Sequence, residues 1–93
     1  MSLSPQSRHL ERVASLPCCI CYFKLGHKTY GCEAHHAGDA DERDDFAAVS
    51  LCHEHHQGPT GIHGLRRRPF YNFWKISNNW LLARTNELLE KFG

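Results

Sequence analysis

The first stretch of the chain shows a helical spacing. Leu10, Val13, Ala14 and Leu16 fall near one face over residues 4–16. Ser4-Pro5 suits a cap followed by a first helical residue, and Pro17 suits a stop. Residues 18–21 read as a tight knuckle. Residues 22–31 set Tyr22, Phe23, Thr29 and Tyr30 among Gly26 and Gly31, the pattern of a loop with strand character. A short extended piece is expected over 32–36 and a polar loop over 37–45. The run Phe-Ala-Ala-Val-Ser-Leu at 46–51 suits a short buried strand or the approach to a helix. One or two helical turns follow over 52–57, stopped by Gly58-Pro59, and the glycines and proline of 58–64 predict a loop. Pro69 then opens the longest helical stretch, running to residue 92. In it Phe73, Trp74, Trp80, Leu81, Leu88 and Leu89 lie near helical spacing, with Asn78-Asn79 as a weak point. The aromatics Phe70, Tyr71, Phe73, Trp74 and Trp80 are expected in the core. The pattern predicts one small α+β domain over residues 1–93: a leading helix at 4–16, a central unit at 17–64 and a C-terminal helical segment at 69–92.

Length limits what such a core can do. A chain of 93 residues buries only a little over ~60% of its unfolded surface, so its apolar core is modest. No run of about 18 apolar residues occurs, which excludes a spanning helix. Nor does a charged-then-apolar leader open the sequence. The formal net charge of +1 conceals two opposed segments. Residues 39–45 hold five acids and one base, whereas residues 66–93 hold six bases and two acids.

Eight histidines and five cysteines alter the picture more. An odd cysteine count argues against a disulfide framework, and Cys and His crowded together argue for metal. Cys18-x-x-Cys21 can chelate one ion from a single turn, and Cys52-x-x-His55 supplies a second pair at the same spacing. The expectation is a structural Zn²⁺ held by Cys18, Cys21, Cys52 and His55, with Cys19 as an alternative to Cys18. Its binding energy would add to that of a small core. Cys32 reads as a small buried residue. His35-His36, His56 and His63 form a second polar group, which His53 could join. Adjacent residues of an extended segment face opposite ways, so one histidine can hold a metal while its neighbour meets a substrate. That suits metal-assisted hydrolysis, with a neutral imidazole taking a proton from water.

These residues also resemble a known pattern. Cys18-x-x-Cys21, Glu33-Ala34-His35-His36 and Leu51-Cys52-x-x-His55-His56 are similar to the HNH (ββα-metal) endonuclease superfamily in its zinc-stapled form. The nearer resemblance is to the phage Ref-type recombination-enhancement nucleases, which depend on RecA. It is carried by His9-Leu10, Arg12-Val13-Ala14, Leu16-Pro17-Cys18, Glu33-Ala34-His35-His36, Asp45-Phe46, Leu51-Cys52, His55-His56-Gln57-Gly58-Pro59 and Gly61-Ile62-His63-Gly64, spanning about residues 9–64. The resemblance implies a zinc-stapled ββα-metal core with flanking N- and C-terminal helices. It implies His36 as the general base that activates water. His35, His56 and His63 become ligands of a catalytic divalent cation, Mg²⁺, Mn²⁺ or Zn²⁺. The implied activity is metal-dependent DNA endonuclease cleavage, the implied partner a RecA filament, and the implied setting the cytoplasm of a bacterial host carrying a phage or prophage.

The chain departs from the superfamily in two places. No Asn lies between His36 and Cys52, so Asp45 or Asp44 would have to position the loop. The interval from His56 to His63 is also longer than one helical turn. Beyond the motif, Arg66, Arg67 and Arg68 are suited to neutralise DNA phosphates next to the site. A competing expectation is a zinc-stapled nucleic-acid-binding adaptor without catalysis, in which the remaining histidines are structural.

Overall fold

A computed structural model describes residues 4–37 and 46–93. Helix α1 covers Pro5–Ala14. Ser4 caps it, its Oγ accepting the Ser7 N–H at 3.1 Å. Helix α2 covers Cys19–Lys24, where a knuckle and loop were expected. Its consecutive apolar residues have no helical period, because Cys19, Ile20 and Cys21 are buried while Tyr22 and Phe23 pack partly against the core. The segment after it folds back over the helix. The His27 N–H donates to the Cys21 carbonyl at 3.0 Å, and the Cys18 N–H donates to that of Thr29 at 3.0 Å.

Strands β1 (Glu33–His36) and β2 (Ala48–Leu51) pair antiparallel, with Glu33 opposite Leu51 and His36 opposite Ala48. All four β2 residues are buried, as a run of small and branched apolar side chains allows. Helix α3 (His53–Gln57) follows β2 after a single residue, Cys52. The expected loop 58–64 contains a further short helix, α4 (Ile62–Leu65), whose Ile62 anchors it in the core.

The C-terminal segment differs from the single stretch expected from Pro69. Helix α5 spans Arg67–Trp74 and so begins two residues earlier. Pro69 sits in its first turn, where its missing N–H would have no intrahelical partner anyway. Helix α6 spans Asn78–Phe92. The break lies at 75–77, not at Asn78-Asn79. Lys75 is left-handed (φ 56°), and the Ser77 Oγ accepts the Trp80 N–H at 3.0 Å. The asparagines fall in the first turn of α6, where polar side chains cost a helix least.

Leu16, Ile20, Val49, Leu51, Ile62, Phe70, Leu81 and Leu88 form the centre of the core. Helix α6 lies on β2 and α2 through Leu81, Thr85 and Leu88, which share one helical face. Of the aromatics expected inside, Phe70 is fully buried and Tyr71, Trp74 and Trp80 are partly so, but Phe73 is 64% exposed. It falls on the outer side of α5. The fold is a small α+β one. Among the described residues, no helix is long and apolar enough to cross a membrane.

Candidate functional site

Two groups of metal-ligating side chains meet in the described structure. The first is Cys18, Cys21, Cys52 and His55, all buried. Cys18 caps α2, Cys21 lies one turn into it, Cys52 caps α3, and His55 follows within α3. His55 Nδ1 lies 3.6 Å from Cys18 Sγ, 3.5 Å from Cys21 Sγ and 3.2 Å from Cys52 Sγ, and the Cys21 and Cys52 sulfurs are 4.0 Å apart. A tetrahedral zinc with ordinary bond lengths requires S···S edges of about 3.8 Å and S···N edges of about 3.6 Å. The four atoms fit such an ion with only small shifts. Burial pushes the Cys18 and Cys21 thiols up. Three thiols around one imidazole, none in a disulfide, form a donor set that a divalent cation would deprotonate and hold together. Trp74 stands edge-on to the His55 ring at 5.4 Å and closes this side.

Cys19 is not in the set. Its sulfur turns to Thr85 Oγ1 at 3.0 Å and Ser50 Oγ at 3.6 Å, on the side facing α6 and β2. Cys32 donates its S–H to the Thr29 carbonyl at 3.1 Å, and burial pushes the thiol up to about 12. It is therefore a buried hydrogen-bonding thiol and not a nucleophile.

The second group is His35, His56 and His63, drawn from β1, α3 and α4. His56 Nε2 lies 3.2 Å from His35 Nδ1 and 3.1 Å from His63 Nε2. The N···N edge around a tetrahedral zinc is about 3.3 Å, so the three nitrogens are spaced as ligands of one ion. His63 is exposed while the other two are buried, so the group is open to solvent on the His63 side. Burial pushes the His35 pKa down to about 4, helped by His56 and His63, and burial also lowers His63. Both rings are therefore neutral near pH 7, the form that binds metal.

The return of His63 depends on glycine. A Cβ on Gly61 would lie 2.6 Å from the Glu54 carbonyl oxygen and 2.8 Å from that of His55, and one on Gly64 would strike the Gly58 carbonyl. Only bare backbone lets α4 approach α3 this closely. The long interval between His56 and His63 is thus spanned by a compact turn rather than an open loop.

Helix α3 serves both groups. His55 and His56 are neighbours about 100° apart around the helix. One ring turns to the sulfurs, the other to His35 and His63. His56 has a further partner that sequence reasoning did not single out. Its Nδ1–H donates to Glu33 Oε1 at 2.8 Å, which makes Nε2 the nitrogen that faces the other two rings and could bind a metal. Gln57 Nε2 donates to the same oxygen at 3.2 Å, and His53 Nδ1 stands 3.7 Å from Glu33 Oε2. These bonds, first of all that from His56, lower the Glu33 pKa. Two signals pointed there. Glu33 and His35 share one face of β1 by strand period, and His53, His56 and Gln57 share one face of α3 by helical period. His53 itself is exposed and outside the cluster.

His36 is half-buried and follows His35 on β1, outside the three-histidine group, with its charge felt at His35. Arg66, Arg67 and Arg68 are exposed at the start of α5. The charge of Arg67 reaches His35 and that of Arg66 reaches His63. Arg66 has φ 77° and ψ 161°, a region almost confined to glycine. Asp44 and Asp45, the expected loop-positioning residues, lie outside the described residues.

Comparison with known proteins returns no matching family model, no matching curated protein and no matching solved structure.

Proposed function

We propose that the protein is a metal-dependent DNA endonuclease of the HNH type. The observation that carries this reading is the second cluster: three imidazole nitrogens within ligand spacing, separate from the Cys3His set and open on one side. The order β1, β2, α3, with histidines on the first strand and on the helix, is what a ββα-metal site requires. The motif resemblance supports the same reading.

In this proposal Cys18, Cys21, Cys52 and His55 hold a structural zinc that ties α2 to α3. His35, His56 and His63 hold the catalytic cation. Three imidazoles favour Zn²⁺ or Mn²⁺ over Mg²⁺, which prefers oxygen ligands. When bound, the cation stabilises negative charge on the phosphoryl group and on the departing 3′ oxygen. His36 takes the proton from the attacking water. Arg66, Arg67 and Arg68 bind the phosphates on either side of the scissile one. The products are 5′-phosphate and 3′-hydroxyl ends. The Ref-type resemblance adds a RecA filament on single-stranded DNA as partner, the paired strand as target and the bacterial cytoplasm as location.

Nicking of supercoiled plasmid tests the proposal. Wild type should nick with Mn²⁺, Zn²⁺ or Mg²⁺. His36→Ala should fold, keep its zinc and lose roughly 10²–10⁴-fold in rate. A wild-type rate in this variant removes His36 from the mechanism. Absence of nicking by wild type with every ion, both on naked duplex and on duplex paired to a RecA filament, leaves a zinc-stapled nucleic-acid-binding adaptor.

A further inference from the structure

A second cationic surface is built by elements other than those that carry the three histidines. It is built by α2, the turn after it, and α6. The rings of Trp80, Phe23, Tyr22 and Phe92 follow one another at centroid spacings of 5.9, 4.9 and 5.8 Å, each edge-on to the next. Cations lie over this row along its length. Lys24 Nζ is 5.1 Å from the Trp80 centroid and Lys28 Nζ is 5.2 Å from that of Phe92. Arg84 lies over Phe23 at 5.7 Å and over Trp80 at 5.9 Å. Lys91 lies over Tyr22 at 5.5 Å and donates to its hydroxyl at 2.8 Å.

Arg84 is also paired with Glu87 at 2.7 Å. Among the described residues, no carboxylate pairs with Lys24, Lys28 or Lys91. The aromatic row therefore carries three exposed ammonium groups, held in a line by ring faces rather than neutralised by acids. The rings pack edge to face, and a cation lies over each of them, so the row presents its charge together with its rings. What the surface offers is a line of positive charge matched to a line of negative charge.

We propose that this stripe is a second nucleic-acid contact, which binds phosphodiester backbone at a place distinct from the histidine cluster and the Arg66–Arg68 run. The proposal rests on the nuclease reading only in taking DNA as the polyanion. The binding itself requires neither the second cation nor His36.

The test is the salt dependence of binding. A fluorescently labelled 20-base-pair duplex is titrated with zinc-loaded protein in the His36→Ala background, without added Mg²⁺ or Mn²⁺. The triple variant Lys24→Gln, Lys28→Gln, Lys91→Gln is compared with its parent, and zinc content and melting temperature establish that both are folded. Three lost phosphate contacts should reduce the slope of log K against log salt by about 2.7, at roughly 0.9 per contact. The single variants should each reduce it by about 0.9, which keeps the test decisive if the triple variant fails to fold. An unchanged slope and affinity overturn the proposal. So does an affinity of the stripe for a polyglutamate peptide that duplex DNA cannot displace, which assigns the surface to an acidic protein. A protein that shows the slope change but never nicks DNA retains the stripe and loses the nuclease reading. One that nicks with an unchanged slope does the reverse.

Discussion

Glu33 is the residue whose role is most sharply defined by its contacts. It touches neither sulfur nor the other two clustered rings, yet its bond to His56 Nδ1 fixes which nitrogen faces the cluster. It is a positioning residue. Glu33→Ala should reduce the affinity of the second metal site by about 10–100-fold while one zinc per chain is retained, and Glu33→Gln, still able to accept from Nδ1–H, should recover part of the loss. Metal titration followed by elemental analysis reads both numbers. Equal affinity in Glu33→Ala and wild type would remove that role. His35 gives a pH signature at the same scale. Burial holds its folded pKa at about 4, well below the ordinary 6.5. The unfolded chain therefore takes up this proton first. The stabilising contribution of neutral His35 is complete above pH 6.5 and is lost as pH falls towards 4. Urea unfolding of wild type minus that of His35→Asn, with no second cation added, should show this loss across that window, and a flat difference would contradict it. The cysteine and histidine pairs were legible in the sequence because chelation works through short spacing. Glu33 was not, since its partners lie on another element and only the joining of β1 to α3 brings them together.

At the scale of elements, the turn from α3 to α4 controls whether there are three histidines or two. Gly61→Ala places a methyl group against the backbone of Glu54 and His55, so α4 must move outward and carry His63 with it. The expected result is a chain that keeps its Cys3His zinc but loses the second ion. Stability should fall by roughly 1–3 kcal/mol, the range of overpacking at a tight contact. Thermal melts and metal counts on the same sample check the two effects together. Retention of both ions would show that His63 reaches the cluster without the close turn. The glycines announced a turn in the sequence but concealed α4, because four residues are too few to show a period. Helix α2 was hidden for another reason: Cys19, Ile20 and Cys21 are all buried, and Tyr22 and Phe23 pack against the core, so no helical period shows. Strand β2 could be read as a short run that is buried throughout, and helix α1 by its apolar spacing and its Ser4-Pro5 start.

At the scale of the whole molecule, the Cys3His set brings α2 and α3 together. It links α2 to α3 through Cys21 and Cys52, 31 positions apart in the sequence. In a domain this small, metal binding energy is a large part of folding energy. A strong chelator should therefore lower the melting temperature sharply and abolish cooperative unfolding. Excess Mg²⁺, which does not suit thiolates, should not restore it, whereas Zn²⁺ should. Calorimetry with and without chelator checks this, and an unchanged melt would show that the apolar core suffices. In the proposed reading, one frame stapled at Cys18, Cys21, Cys52 and His55 would present two charged surfaces: the arginine run beside the histidines, and the lysine stripe of α2 and α6.

The proposed activity depends on a second, partly open metal site among His35, His56 and His63. Anomalous diffraction from crystals grown with zinc and soaked in manganese, collected at both absorption edges, tests it most directly. Two peaks per chain are expected, one inside Cys18, Cys21, Cys52 and His55, the other among His35, His56 and His63 with coordination positions left for water. A single peak at the sulfurs, with the three imidazoles turned away from one another, would contradict it.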